Sequence, residues 1–163
     1  MHLLARRGYN VAASTGRPEL EQYLRELGAK SIVPRDAFSN AGSPMQSERW
    51  AGGIDTVGGA TLANLYAQTA YEGAVACCGM AGSHELQTTV WPMILRNVSL
   101  LGVSSLRTPK LKRIAAWERL ASDVDLDVLA KLTRIGPLSR IFELADDILA
   151  GRIRGRVVLD VTS

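Results

Sequence analysis

Apolar and polar positions follow one another along this chain in two rhythms. Short, nearly continuous apolar runs read as strands covered on both faces. They are Tyr9–Ala13, Ser31–Val33, Gly53–Val57, Gly73–Cys78, Val98–Val103 and Arg156–Val161. Between them, apolar residues recur at helical spacing. Pro18–Leu27 shows it best, with Leu20, Tyr23, Leu24 and Leu27 at i, i+3, i+4 and i+7. Pro18 suits the first helical position, Glu19 and Glu21 suit the positive end of the dipole, and Gly28 ends the helix. Further helices are expected at Thr61–Thr69, at Pro109–Ala121 behind a Thr108 cap, at Asp125–Thr133 and at Leu138–Ala150, which Gly151 stops. Val90–Leu95 reads as a helical turn, and Phe38–Glu48 as a loop or frayed helix. Met1–Gly8 looks like the second half of a helix, with Arg6 and Arg7 in its last turn and Gly8 as its cap.

Strands alternating with helices imply an α/β fold with a parallel, doubly wound sheet. In such a sheet, ligands sit at the carboxyl ends of the strands. The first expected strand ends in Ser14-Thr15-Gly16-Arg17 and the second in Pro34-Arg35-Asp36. The third ends in Thr56-Val57-Gly58-Gly59, the fourth in Gly79-Met80-Ala81-Gly82 and the fifth in Ser104-Ser105. Two arginines, glycine-rich exits and small hydroxyls suit a polyanion with a flat ring.

Charge narrows the choice of ligand. The net charge of +3 is spread along the 163 residues, and its densest group, Lys110, Lys112 and Arg113, reads as a solvated helix face. No nucleic-acid partner is expected. No run of apolar residues is long enough for a membrane span. Cys77 and Cys78 are neighbours in an apolar run and read as buried, reduced thiols of a cytoplasmic protein. With only His2 and His84 beside them, no metal site is expected.

In a dinucleotide fold, an acidic residue after the second strand favours NAD, whereas an arginine accommodates the 2′-phosphate of NADP. No Asp or Glu lies between Tyr9 and Arg17. Thr15, Gly16 and Arg17 therefore read as a 2′-phosphate site, with Arg35 as a second clamp. A generic turn with a surface arginine is the other reading, and this stretch alone leaves both open. No G-x-G-x-x-G loop follows any strand. No residue is assigned as general acid or base.

At these strand ends the runs STGRPE, LGAKSIVPRD, WAGGIDTVGG, AVACCGMAGS, TTVWPMILRNVSLLGV and GRIRGRVVLDV resemble a known group. It is the zinc-independent, quinone-oxidoreductase-like acrylyl-CoA reductases of the medium-chain dehydrogenase/reductase superfamily. The resemblance runs from Met1 to the C-terminus. It implies NADPH-dependent reduction of an activated carbon–carbon double bond, acrylyl-CoA going to propionyl-CoA, in a two-domain homodimer without metal. By position, it also implies cofactor contacts at Met80, Ile94 and Ser105. Gly151 falls where another member places an asparagine, so only its backbone could take that role.

Against the family pattern, the chain is expected to be truncated at its N-terminus. It begins within the helix that follows the glycine-rich loop, so an incomplete Rossmann fold is expected, lacking its first strand and that loop. Residues 1–135 would be a partial NADP-binding domain. Residues 136–163 would return to a GroES-like catalytic domain. Little activity is expected of this chain alone. The alternatives are a non-catalytic dimerising or interaction module, or an unstable fragment.

Overall fold

The computed structural model describes residues 1–162, which form two compact units, 1–109 and 110 onward. Each is described by itself; a strand at 133–137 in the second unit runs across the expected division at 135.

The first unit opens with helix α1 (His2–Arg6). Gly8, at φ +83°, turns the chain out of it. Gly8 N–H then donates to Ala5 O and Tyr9 N–H to Leu4 O, the pattern of a glycine-closed helix end. Because the Tyr9 amide is used there, strand β1 starts later than expected and runs Val11–Thr15. This corrects the expected strand Tyr9–Ala13: Thr15 closes the strand instead of sitting in a turn. A single 3₁₀ turn, Pro18–Leu20, leads into helix α2 (Glu21–Glu26). Strand β2 (Ala29–Pro34) then pairs with β1 in parallel, Thr15 standing opposite Pro34. Helix α3 (Asp36–Ser39) is a single turn that buries Phe38 at the start of the expected loop.

A second parallel sheet carries strands β3 (Trp50–Asp55), β4 (Thr69–Cys77) and β5 (Ser99–Gly102) in that order. Helix α4 (Gly59–Ala67) crosses from β3 to β4, and α5 (Trp91–Arg96) precedes β5. Leu62 and Tyr66 of α4 pack on Val75 and Val98, with Leu65, Cys77 and Leu100 around them. β4 is longer than its apolar run because it begins at Thr69, which is fully buried and bonds its hydroxyl to Leu65 O. The thiols are also corrected: Cys77 is half-buried and Cys78 exposed, since the strand ends between them. As expected, β1–β2 does not pair with β3–β4–β5 among the described residues.

In the second unit, α6 (Lys110–Asp123) is followed by α7 (Leu126–Leu132), whose cap Asp125 accepts the Asp127 and Val128 amides. Strand β6 (Thr133–Pro137) pairs in parallel with β7 (Arg156–Asp160) across helix α8 (Ile141–Leu149). β6 was not expected. Ile135 is 77% exposed, so no buried apolar face announces the strand. Among the described residues no helix is long and apolar enough to cross a membrane.

The β3 exit is fixed by backbone in close approach. Gly58 sits at φ +74°, bridges to Ser83, and leaves no room for a Cβ, which would run into the Ser83 carbonyl oxygen. Gly102 has nothing near its missing Cβ. Gly58→Ala is therefore expected to destabilise the first unit by roughly 2 kcal/mol or more, and Gly102→Ala to change little. Urea unfolding of both variants checks this; equal midpoints would refute it.

Candidate functional site

The two arginines expected to grip a phosphate sit at the paired ends of β1 and β2. Arg35 N–H donates to Thr15 O (2.9 Å), which continues the ladder one residue past Pro34. Thr15 Oγ1 accepts the Arg17 amide (3.0 Å), so the turn after β1 is closed by the side chain of its own last residue. A Cβ built on Gly16 would lie 3.0 Å from both Cζ and Nε of Arg35. The Arg35 guanidinium thus lies over Gly16, in space that only a glycine leaves open. Thr15, Gly16, Arg17 and Arg35 are one cluster. It brings a threonine hydroxyl and the Arg35 guanidinium fork to one strand end, with Arg17 following in the turn, residue types that suit a phosphate dianion.

The three-stranded sheet ends level. Asp55, Cys77 and Gly102 stand opposite one another at its carboxyl end. Asp55 is 2% exposed, and its Oδ2 accepts the amides of Val57 (3.2 Å) and Gly58 (2.8 Å). Its carbonyl takes Cys78 N–H (2.9 Å). The β4 exit loop then folds onto the β3 exit, with Ala81 N–H on Thr56 O and the Gly82 and Ser83 amides on Val57 O. Met80 leaves this rim 69% exposed. Ser105 follows β5 from the same end and is exposed. Met80 and Ser105 therefore share one sheet end.

Ile94 is placed differently. It is 71% exposed on α5, whose last residue, Arg96, reaches Ala67 O and Thr69 O at the amino-terminal end of β4. Gly151 lies in the second unit at φ +69°, with nothing within 4 Å of its missing Cβ. A cleft of about 320 Å³ opens between residues 41–44, the start of α4 and residues 83–88. Ser43, Asn64, Ser83 and Glu85 line it, and none of the expected site residues does. Asp55 was missed as the residue that shapes the rim. Its signal was the spacing D-x-x-G-G, an aspartate placed to accept the amides of a glycine turn.

The comparisons can now be set beside this geometry. Residues 1–122 match the family model of the zinc-binding dehydrogenases. An acrylyl-CoA reductase of Ruegeria pomeroyi is 47% identical over 162 residues, 99% of this chain and 49% of that protein. An oxidoreductase of Salmonella enterica, solved in complex with NADP, is 42% identical with a TM-score of 0.95, covering 98% of this chain and 49% of that one. A Bacillus subtilis protein solved with NAD bound is 40% identical with a TM-score of 0.92, again over 98% and 49%. The chain spans about half the length of the curated relatives it matches. Zinc is tested by the donors: among the described residues no three His, Cys, Asp or Glu side chains come together. These residues do not fit a zinc site.

The rim makes the two thiols unequal. Burial, then the charge of Asp55 and then the neighbouring Cys78 push the Cys77 thiol above its ordinary range. A raised thiol carries less thiolate at pH 8 and alkylates more slowly. Iodoacetamide at pH 8, followed by mass spectrometry, is expected to label exposed Cys78 first. Asp55→Asn, which keeps an oxygen for the turn, should quicken Cys77. Equal rates at the two sulfurs would overturn this.

Proposed function

The chain belongs to the zinc-binding dehydrogenase family, and from that premise we propose that it grips the adenosine end of NADPH in an enoyl-type reductase. The observation that carries the reading is the Arg35 guanidinium lying over Gly16 beside Thr15 and Arg17. Thr15, Gly16, Arg17 and Arg35 hold the 2′-phosphate. Their likeness in chemistry to a phosphate cradle is supported by the NADP complex of the Salmonella relative. NADPH, when bound, supplies a hydride to the β-carbon of an activated double bond. The substrate class, an enoyl-CoA of the acrylyl type, rests on the name of the Ruegeria relative.

Met80 and Ser105 line the cofactor along the sheet end, Ile94 adds an apolar contact, and Gly151 offers backbone only. The whole protein works without zinc, in the cytoplasm, as a homodimer. Residues 1–135 belong with cofactor binding and 136–163 with the catalytic domain. Leu101 (51% exposed) and Val103 (55% exposed) on and just after β5, a strand paired only with β4, support the dimer and also the second reading, a non-catalytic dimerising module. Size-exclusion chromatography with a cofactor titration separates the two: a stable dimer blind to the 2′-phosphate favours the module.

The direct test is titration of the 163-residue chain with 2′,5′-ADP and 5′-AMP, followed by amide chemical shifts. A charge-assisted phosphate contact is expected to make 2′,5′-ADP bind about tenfold or more tightly. Arg35→Ala and Arg17→Ala should each remove most of that difference. Gly16→Ala keeps the fold, since only the flexible end of Arg35 must shift, and should cut the preference several-fold. Equal affinities for the two nucleotides in the unaltered chain would refute the proposal.

A further inference from the structure

Arg35 is the N-cap of α3, and α3 is one turn long. A lone turn cannot hold its own geometry in water, so something outside must hold it. Its start is fixed by the Arg35 amide on Thr15 O, and Phe38 N–H and Ser39 Oγ both donate to Arg35 O. Its far end hangs on one side chain. Asn64, on α4, is 5% exposed. Its Nδ2 donates to Phe38 O (3.0 Å), to Asn40 O (2.7 Å) and, within its own helix, to Ala60 O (3.0 Å). Three carbonyls around one nitrogen settle which way the amide points.

The other end of that amide is held too. Asn64 Oδ1 accepts from Gln46 Nε2 (2.7 Å), Gln46 Oε1 accepts from Gln68 Nε2 (2.8 Å), and Gln68 Oε1 accepts from Trp50 Nε1 (3.0 Å). Arg96 Nη2 donates to Gln46 O (2.6 Å). The connector from α3 to β3 is therefore laced onto α4 by a partly buried polar chain. At the two ends of this connector, Phe38 of α3 packs near Trp50 of β3, ring centroids 6.4 Å apart.

We propose that Asn64 is a positioning residue for Arg35: by tying the end of α3 to α4, it keeps the guanidinium over Gly16. The proposal rests on the reading of that cluster as the 2′-phosphate site. Asn64 touches no phosphate. It acts through the backbone of residues 35–40, so its loss is felt at the 2′-phosphate and nowhere else on the nucleotide.

The test uses the full 163-residue chain and the same pair of probes, 2′,5′-ADP and 5′-AMP. Asn64→Asp is isosteric but turns an acceptor toward the Phe38 and Asn40 carbonyls. It is expected to weaken 2′,5′-ADP about fivefold and to leave 5′-AMP unchanged. A second variant reaches the same amide from the other side. A Cβ on Gly42 would strike Asn64 Oδ1 and Gln46 Nε2, so Gly42→Ala should have the same selective effect. Where Asn64→Asp does not fold, Gly42→Ala decides. Equal losses for both nucleotides, or no loss, in the folded variant overturn the positioning role. Arg35→Ala is the reference. If it removes the preference while Asn64→Asp and Gly42→Ala keep it, Asn64 is refuted and the phosphate site stands. If the unaltered chain shows no preference, both fall.

Discussion

The first unit depends on a carboxylate taken out of water at the end of β3. Asp55 is 2% exposed and its carboxylate is compensated by the pair of amides it accepts from Val57 and Gly58. A buried acceptor left without donors costs about 1–3 kcal/mol, more when charged. The turn after β3 is therefore held in the one shape that brings both amides round. That shape puts Gly58 at positive φ against Ser83 and sets the direction in which α4 leaves. α4 in turn carries Asn64 and ends at its C-cap Gln68, and these two lace residues 38–50 onto it. A single buried charge thus reaches, through one helix, the segment that begins at Arg35.

Two sheet ends do different work in this unit. The β1–β2 end presents side chains: a threonine hydroxyl that closes the turn and the Arg35 guanidinium over a glycine. The β3–β4–β5 end presents mostly backbone, because the exits of β3 and β4 are glycines packed against carbonyls. A Cβ on Gly79 would lie 2.6 Å from Thr56 O, just as one on Gly58 has no room beside Ser83 O. On the proposed reading, charge recognition falls to the first end and close approach to a ring to the second, as a ligand with a charged phosphate and a flat ring requires.

Much of this was legible in the sequence, for physical reasons. Leu20, Tyr23, Leu24 and Leu27 mark a helix because one stripe faces the sheet, and α2 forms there behind its 3₁₀ turn. Short apolar runs mark parallel strands because helices cover them, as Val75 at 0% exposure illustrates. The alternation of the two then implies the parallel pairing that is found. What was not legible depends on single hydrogen bonds. The start of β1 was misplaced because the Tyr9 amide caps α1. β6 was invisible because Ile135 faces outward. Thr15 and Arg35 could be proposed as phosphate-binding candidates from residue type, but the bond from the Arg35 amide to Thr15 O could not be foreseen, since it depends on register. Asn64 gave no signal at all: an asparagine on an apolar helix shows its three carbonyl partners only when the chain is folded.

Register is what brings Arg35 over Gly16. Val11 stands opposite Ala29, an offset of 18, while Ala12 stands opposite Ser31, an offset of 19 that holds to Thr15 and Pro34. One extra residue, Lys30, is taken up in β2 at that point. Were it not, every later residue of β2 would slide by one and turn to the opposite face. Val33 would then stand opposite Thr15, and Pro34 would come to the place from which the Arg35 amide donates. Proline has no N–H, so Thr15 O would lose its partner. The guanidinium would also move off Gly16. The slipped register is thus disfavoured at the very residue pair that makes the site. Pro34 does more than end a strand: its missing donor disfavours the slipped register and so favours the one that holds the Arg35 guanidinium over Gly16.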